Sequence, residues 1–156
     1  RLKLNVETVY FSSRLSNERK RIAELVNETY KKTKKKEQIL VMFSGCAPYP
    51  LVLAKKTNAK RILGIEINPD GQKYGLENIR LNKVKNVNLI CGDVKKTIPR
   101  LIKLFNKKHI KLTFDRILMP LPKTADEFLD EALMVSKKGT IIHFYDFLPE
   151  DNFDDA

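Results

Sequence analysis

Residues 37–70, EQILVMFSGCAPYPLVLAKKTNAKRILGIEINPD, read as strand, tight turn, helix and strand. The apolar run Ile39 to Phe43 stops at Ser44-Gly45, Leu51 to Ala54 can form a helix packed back on that strand, and a second apolar run extends from Arg61 to Ile67. Two short β-rich runs joined by a helix are the pattern of a right-handed βαβ unit with parallel strands. Such units bind nucleoside ligands beyond the carboxyl ends of their strands. Glu66 follows Gly45 by 21 positions, close to the interval of roughly 20 at which an acidic side chain accepts hydrogen bonds from ribose hydroxyls.

Upstream, residues 2–11 alternate apolar and polar side chains and predict a strand or hairpin ahead of the main sheet. Ser12-Ser13 offers a helix cap, and Leu15, Ile22, Ala23, Leu25 and Val26 recur at helical spacing, predicting an amphipathic helix from Arg14 to Tyr30. The basic stretch 31–36 fits a solvated loop or a phosphate contact equally well. Downstream, Asn68-Pro69-Asp70 caps a helix ending near Leu81, and 87–91 form a third strand closed by Gly92-Asp93. A Lys-rich helix over 94–107 leads to a fourth strand, Phe114 to Met119, stopped by Pro120-Leu121-Pro122 because proline cannot donate to a ladder. A helix from Thr124 to Val135 and a fifth strand, Thr140 to Tyr145, complete the alternation. The fold class is therefore α/β, a doubly wound, mostly parallel, Rossmann-like sheet. Residues 1–30 lead into a core of 31–150, and 151–156 form an acidic tail.

The chain has 156 residues, 42% apolar and 31% charged, enough for one core and too apolar for a disordered segment. No run approaches the length of a membrane span and the N-terminus shows no signal-peptide pattern, so a cytoplasmic location without membrane contact is expected. Cys46 and Cys91 support neither a disulfide framework nor a zinc site. A net charge of +11 points to nucleic-acid phosphates, although a Lys-rich proteome would give the same surplus.

The first turn departs from the dinucleotide pattern G-x-G-x-x-G. Gly45, Ala47 and Pro50 occupy its three places, which disfavours a pyrophosphate ligand. A ligand with ribose but no phosphate, such as S-adenosylmethionine, tolerates a single-glycine turn and still uses Glu66. Asp93, at the end of the next strand, then stands where it can accept from the adenine amino group. Either acid alone could be an ordinary surface carboxylate; their place on consecutive strands favours the adenosyl reading.

Several stretches carry a resemblance: VYFSSRLSNERKR (9–21), MFSGCAPYPLVLAK (42–55), IEINPDGQKYGLENIRLNK (65–83), GD (92–93), DRILMPLPKTADEFLDEAL (115–133) and GTIIHFYDFLPE (139–150). Together they resemble the catalytic domain of archaeal and eukaryotic tRNA (guanine-N1)-methyltransferases, class I S-adenosylmethionine-dependent enzymes that modify the purine 3′ of the anticodon. Aminocarboxypropyl transferases of wybutosine synthesis share the scaffold and cofactor, but their usual fifth stretch lacks the leucine-proline-lysine run found here at 121–123. The resemblance implies a monomer that uses S-adenosylmethionine and binds the anticodon stem-loop of tRNA. It also implies that the family's last strands lie beyond this chain.

Carried onto matching positions, the resemblance makes Glu18 the proton acceptor for guanine N1, which carries a proton at neutral pH and needs a base within hydrogen-bond reach. Read without it, Glu18 is an ordinary helix-surface partner for a nearby arginine. Arg14 resembles a residue that contacts the tRNA. Tyr10, Phe43, Gly45, Glu66, Ile67, Asp93, Val94 and Pro122 are implied on the cofactor side, and Arg14, Pro120, Leu121 and Lys123 on the substrate side. Three positions depart from the family's pattern: Val41 replaces the usual Asp, Ala47 the usual Gly, and Pro120 the Asn that hydrogen-bonds the target guanine. Proline offers no side-chain donor or acceptor, so backbone carbonyls, a wyosine-precursor target, or a non-catalytic RNA-binding role are the alternatives. His109 and His143 are expected to be structural.

Overall fold

A computed structural model of the protein describes residues 1–121 and 123–145. Five parallel strands form one sheet in the order β3-β2-β1-β4-β5: β1 Gln38–Met42, β2 Arg61–Glu66, β3 Val87–Cys91, β4 Phe114–Met119 and β5 Ser136–Phe144. Parallel neighbours need a crossover, and each is supplied by a helix: α2 Pro48–Lys56, α3 Pro69–Leu81, α4 Val94–Lys107 and α5 Leu129–Met134, with α1 Ser16–Thr33 ahead of the sheet. The order reverses at β1, whose neighbours β2 and β4 lead to opposite halves, so β1 marks the topological switch point of a doubly wound sheet.

The strand period of two sorts the core into two layers. Ile39 and Val41 of β1 face α1, α2 and α3 among Ile22, Val26, Leu53 and Ile62, while Leu40 and Met42 face α4 and α5 among Ile98, Ile117 and Ala132. Both faces of the central strands are covered, and accordingly β1 reads as a continuous apolar run. Val41, one of the three departures from the resemblance, is fully buried in the first of these layers.

Residues 1–12 differ from expectation. They contain no strand, because asparagine side chains take the backbone groups that a ladder would have used. Asn78 of α3 accepts from Lys3 N at 2.6 Å and donates to Lys3 O at 2.8 Å, Asn82 donates to Arg1 O at 2.7 Å, and Asn68 donates to Thr8 O at 2.7 Å. The segment is thereby laced along α3 instead of joining the sheet. Ser13–Leu15 form a single 3₁₀ turn before α1, and the Ser12 side chain makes no capping bond. The expected helix over 124–135 divides into a 3₁₀ turn, Ala125–Phe128, and the short α5. The fifth strand begins earlier than Thr140 and runs through Gly139, whose φ of +91° accompanies a register shift against β4. Pro122 and the acidic tail lie outside the described residues.

One charged network centres on a buried ion pair between β4 and the residue before β1. Arg116 of β4, 1% exposed, donates from Nε and Nη2 to the two carboxylate oxygens of Glu37 at 2.9 and 3.0 Å, from Nη2 to Thr29 Oγ1 at 3.3 Å, and from Nη1 to His143 Nε2 at 2.8 Å. Arginine can only donate, so His143 Nε2 must be the acceptor and the ring neutral, with its proton on Nδ1. Burial first, then the Arg116 and Arg21 charges, push the His143 pKa down to about 4. His143 thus serves Arg116 as an acceptor.

Two outcomes follow. Arg116→Met leaves the Glu37 carboxylate buried without a partner and costs about 3–5 kcal/mol in urea unfolding, whereas Arg116→Met with Glu37→Leu recovers most of that loss. Between pH 6.5, the ordinary value of histidine, and about 4, the unfolded chain binds a proton that the folded chain refuses. Stability should therefore fall as pH drops through that window, by roughly 1–3 kcal/mol once solvent screening is allowed for, and His143→Gln should flatten the slope.

Candidate functional site

All five strands point their carboxyl ends to one edge, and there the βα turns enclose a cavity of 380 Å³. The turn after β1 shapes its floor. Phe43, Gly45 and Ala47 take left-handed φ values of +56°, +57° and +73° within five residues. For the two non-glycine residues this conformation costs about 1–2 kcal/mol each. Packing holds it, since Ala47 is fully buried and its Cβ lies 3.6 Å from where a Cβ on Gly75 would stand. Ala47 therefore replaces the expected glycine without abolishing the turn.

Glu66, at the end of β2, joins this turn to the next. Its Oε2 accepts from Gly45 N at 2.7 Å and its Oε1 from Asn68 N at 3.0 Å. A carboxylate oxygen accepts about two hydrogen bonds, so each oxygen keeps one acceptor position, and the residue lines the cavity. Gly71 keeps α3 clear of it, because a Cβ there would stand 3.1 Å from Glu66 Cγ. Asp93 caps α4 by accepting from Lys95 N at 2.9 Å through Oδ1, and its residue also lines the cavity. Ile67, 65% exposed, and buried Val94 each follow one of these acids.

The cavity thus brings together Tyr10, Phe43, Gly45, Glu66, Ile67, Asp93 and Val94 from the cofactor set, and Pro120 and Leu121 from the substrate set. Pro122 lies outside the described residues. Glu18, Arg14 and Lys123 are not among its lining residues; Arg14 and Lys123 are exposed. Unforeseen wall residues come from the laced N-terminal segment, Val9, Phe11 and Ser12, and from Tyr49 and Phe128. The Phe128 ring meets Phe43 edge-on at 4.8 Å and carries Lys95 above its face. A signal for Tyr49 was available: an aromatic between two prolines at the start of a helix has few ways to point.

Glu18 occupies a second polar cluster beside this cavity. Arg21 binds it with both arms, Nη2 to Oε1 at 2.6 Å and Nε to Oε2 at 2.8 Å, and the Tyr145 hydroxyl donates to Oε1 at 2.6 Å. The pairing with Arg21 is the ordinary i,i+3 contact, and Tyr145 is the partner that sequence reasoning missed. Arg21 first, then Tyr145, hold the Glu18 carboxyl below its ordinary range against the opposing pull of burial. Burial, the Glu18 bond and neighbouring Tyr49 raise the Tyr145 phenol, so it remains a donor. Oε1 already accepts twice; the remaining acceptor position is on Oε2.

Among the described residues no group of His, Cys, Asp and Glu could hold a metal ion, and no helix is long and apolar enough to cross a membrane. Cys46 and Cys91 are free thiols.

Over 150 residues the chain is 41% identical to the tRNA (guanine(37)-N(1))-methyltransferase Trm5b of Pyrococcus abyssi, covering 96% of this chain and 39% of that protein. The crystal structure of that Trm5b matches with a TM-score of 0.76 over the same shares. A tRNA (guanine(37)-N(1))/4-demethylwyosine(37)-methyltransferase of Nanoarchaeum equitans, Taw22, is 37% identical over 95% of this chain and 61% of its own. The structure of M. jannaschii TYW2 in complex with AdoMet, 30% identical, matches with a TM-score of 0.76 over 96% of this chain and 60% of that one. The chain therefore spans between about a quarter and about three fifths of the length of the relatives it matches. With residues 1–155 matching it and the switch-point cavity built from the stretches it shares, the chain belongs to the TRM5/TYW2 methyltransferase domain family.

Proposed function

We propose that the protein is an S-adenosylmethionine-dependent methyltransferase acting on N1 of guanosine 37, in the anticodon stem-loop of tRNA, as a cytoplasmic monomer. The observation that carries the reading is Glu66: a carboxylate fixed by two backbone amides, with one acceptor position left on each oxygen at the edge of the 380 Å³ cavity. Two adjacent hydroxyls of a ribose fit that donor–acceptor requirement. Asp93, with one oxygen spent on Lys95 N, keeps acceptor capacity for an exocyclic amine, and Ile67 and Val94 offer apolar surface to a purine. Tyr10 would border the remaining, methionine-side part of the pocket, and Pro120 and Leu121 its substrate side. When bound, S-adenosylmethionine supplies an electrophilic methyl group.

The chain's part in the chemistry is to take a proton. Guanine N1 is a poor nucleophile while protonated, and Glu18 offers the open position on Oε2 as the acceptor. Arg21 and Tyr145 hold the carboxylate oriented and ionised at neutral pH, which favours readiness over base strength. Arg14, exposed before α1, and Lys123, exposed beyond β4, would hold phosphate or orient the base. Pro120 has no side-chain group with which to read a guanine, and Taw22, a relative at 37% identity, is named for both guanine and 4-demethylwyosine. That combination favours a second target, a tricyclic wyosine precursor on the same nucleotide, within the same activity.

Calorimetric titration with S-adenosylmethionine should give micromolar binding that Glu66→Ala weakens by roughly a hundredfold, the loss of hydrogen bonds to a charged acceptor. Glu18→Gln should bind the cofactor normally yet lower single-turnover methyl transfer by about 10²–10⁴-fold. Normal transfer by Glu18→Gln would remove Glu18 from the mechanism. The acid limb of the wild-type rate should lie below 4.5, the ordinary Glu value. Tyr145→Phe, which removes a donor to the ionised form, should move that limb upward without changing cofactor affinity.

A further inference from the structure

The positive charge of the chain is sorted by topology. In a parallel sheet every loop that enters a strand emerges at the amino edge, opposite the cavity. Sixteen of the thirty Lys and Arg residues lie in those entries or in the helix ends and first strand residues that flank them: five at 31–36, four at 55–61, two at 83–85, three at 107–111 and two at 137–138. All sixteen are exposed. The same stretches and the first strand residues beside them carry two acids, and both are engaged. Glu37 is buried on Arg116, and Asp115 binds Lys35 at 3.1 Å and Lys137 at 2.8 Å.

Cations at helix C-termini stabilise a helix macrodipole, and the ends of α1, α2 and α4 account for some of these lysines in that way. Lys36, Lys60, Lys85, Lys111 and Lys138 stand beyond any last helical turn, where that benefit has gone and only mutual repulsion remains. All but Arg61 of the sixteen are lysines. An ammonium is a point charge without the planar fork that reads carboxylates or bases in pairs, so the array suits phosphates irrespective of sequence. Strand spacing makes the edge about 20 Å wide, and strands of five or six residues set it roughly 17–20 Å from the cavity mouth. A loop held at the mouth does not reach it.

We propose that this amino edge is a second RNA-binding face, which grips the phosphate backbone of a duplex RNA segment outside the anticodon stem-loop. RNA is the polyanion that the proposed function brings to the chain, and to that extent the inference rests on that reading; the charge sorting does not.

The test compares the affinity of the full chain for an unmodified tRNA transcript with that for the isolated anticodon stem-loop over a salt series. The edge variant Lys36→Glu/Lys60→Glu/Lys85→Glu/Lys108→Glu is set against Lys20→Glu/Lys73→Glu/Lys96→Glu/Arg100→Glu. The second set makes the same change of net charge at exposed helix positions nearer the cavity. The wild type should prefer the transcript over the stem-loop, and the edge variant should cut that preference by about tenfold and lower the salt slope on the transcript by about 3. The control set should leave the preference unchanged, and circular dichroism should report both variants folded. An equal fall in both variants, an unchanged preference in the edge variant, or tighter binding to phosphatidylserine vesicles than to the transcript would each overturn the proposal. Loss of methyl transfer by the wild type on the stem-loop would count against the proposed function alone, because the salt-dependent preference is read without it.

Discussion

Strands that all run one way constrain everything else in this molecule. Each must be followed by a helix that carries the chain back along the sheet, so every βα turn falls on one edge and every αβ loop on the other. The first edge receives the backbone turns and carboxylates that can hold a ligand. The second receives what the sequence places before strands, which here is lysine. Neither collection is local in the chain, yet both follow from a single choice of strand direction.

At the ligand edge, coupling between turns matters more than any single residue. Glu66 holds the turn after β1 through Gly45 N and the start of α3 through Asn68 N, so the two walls of the cavity share one carboxylate. Glycines keep the surrounding space open: a Cβ on Gly64 would stand 2.5 Å from Leu89 Cδ2 and 3.0 Å from Ser44 Cβ, and one on Gly71 would crowd Glu66 itself. The backbone of the first turn is strained at Phe43 and Ala47, and burial of the adjacent core offsets the cost.

Two charge networks sit side by side between α1 and the end of β5 and behave differently. Arg116 and Glu37 are sealed from water with half-buried His143 beside them, and the pair holds the arrangement because removing either partner leaves a buried charge unpaired. Glu18, Arg21 and Tyr145 are partly exposed, with one acceptor position left over. The buried ion pair supports the fold, whereas the half-exposed one keeps an acceptor position open. Their proximity also explains why His143 remains neutral, since Arg116 and Arg21 both oppose a third positive charge.

The five alternating units, the switch-point turn and the placing of Glu66 and Asp93 at one edge were legible in the sequence, because periodicity, glycine placement and strand-end spacing act over a few residues. The motif at 14–18 marked Glu18 by resemblance, and its spacing to Arg21 marked the ordinary ion pair; the structure contains that pair. The path of residues 1–12 was not legible, since alternation describes any extended segment and only the asparagines of α3 and its two caps, sixty or more positions away, decide that it is laced to a helix and not paired in a sheet. Tyr145 was equally hidden, 127 residues from Glu18. Local pattern fixes what a segment can become by the geometry of its own backbone. Which partner satisfies its polar groups is settled only when distant segments are brought within hydrogen-bond length, and there the surroundings of Glu18 and the charged edge of this protein were decided.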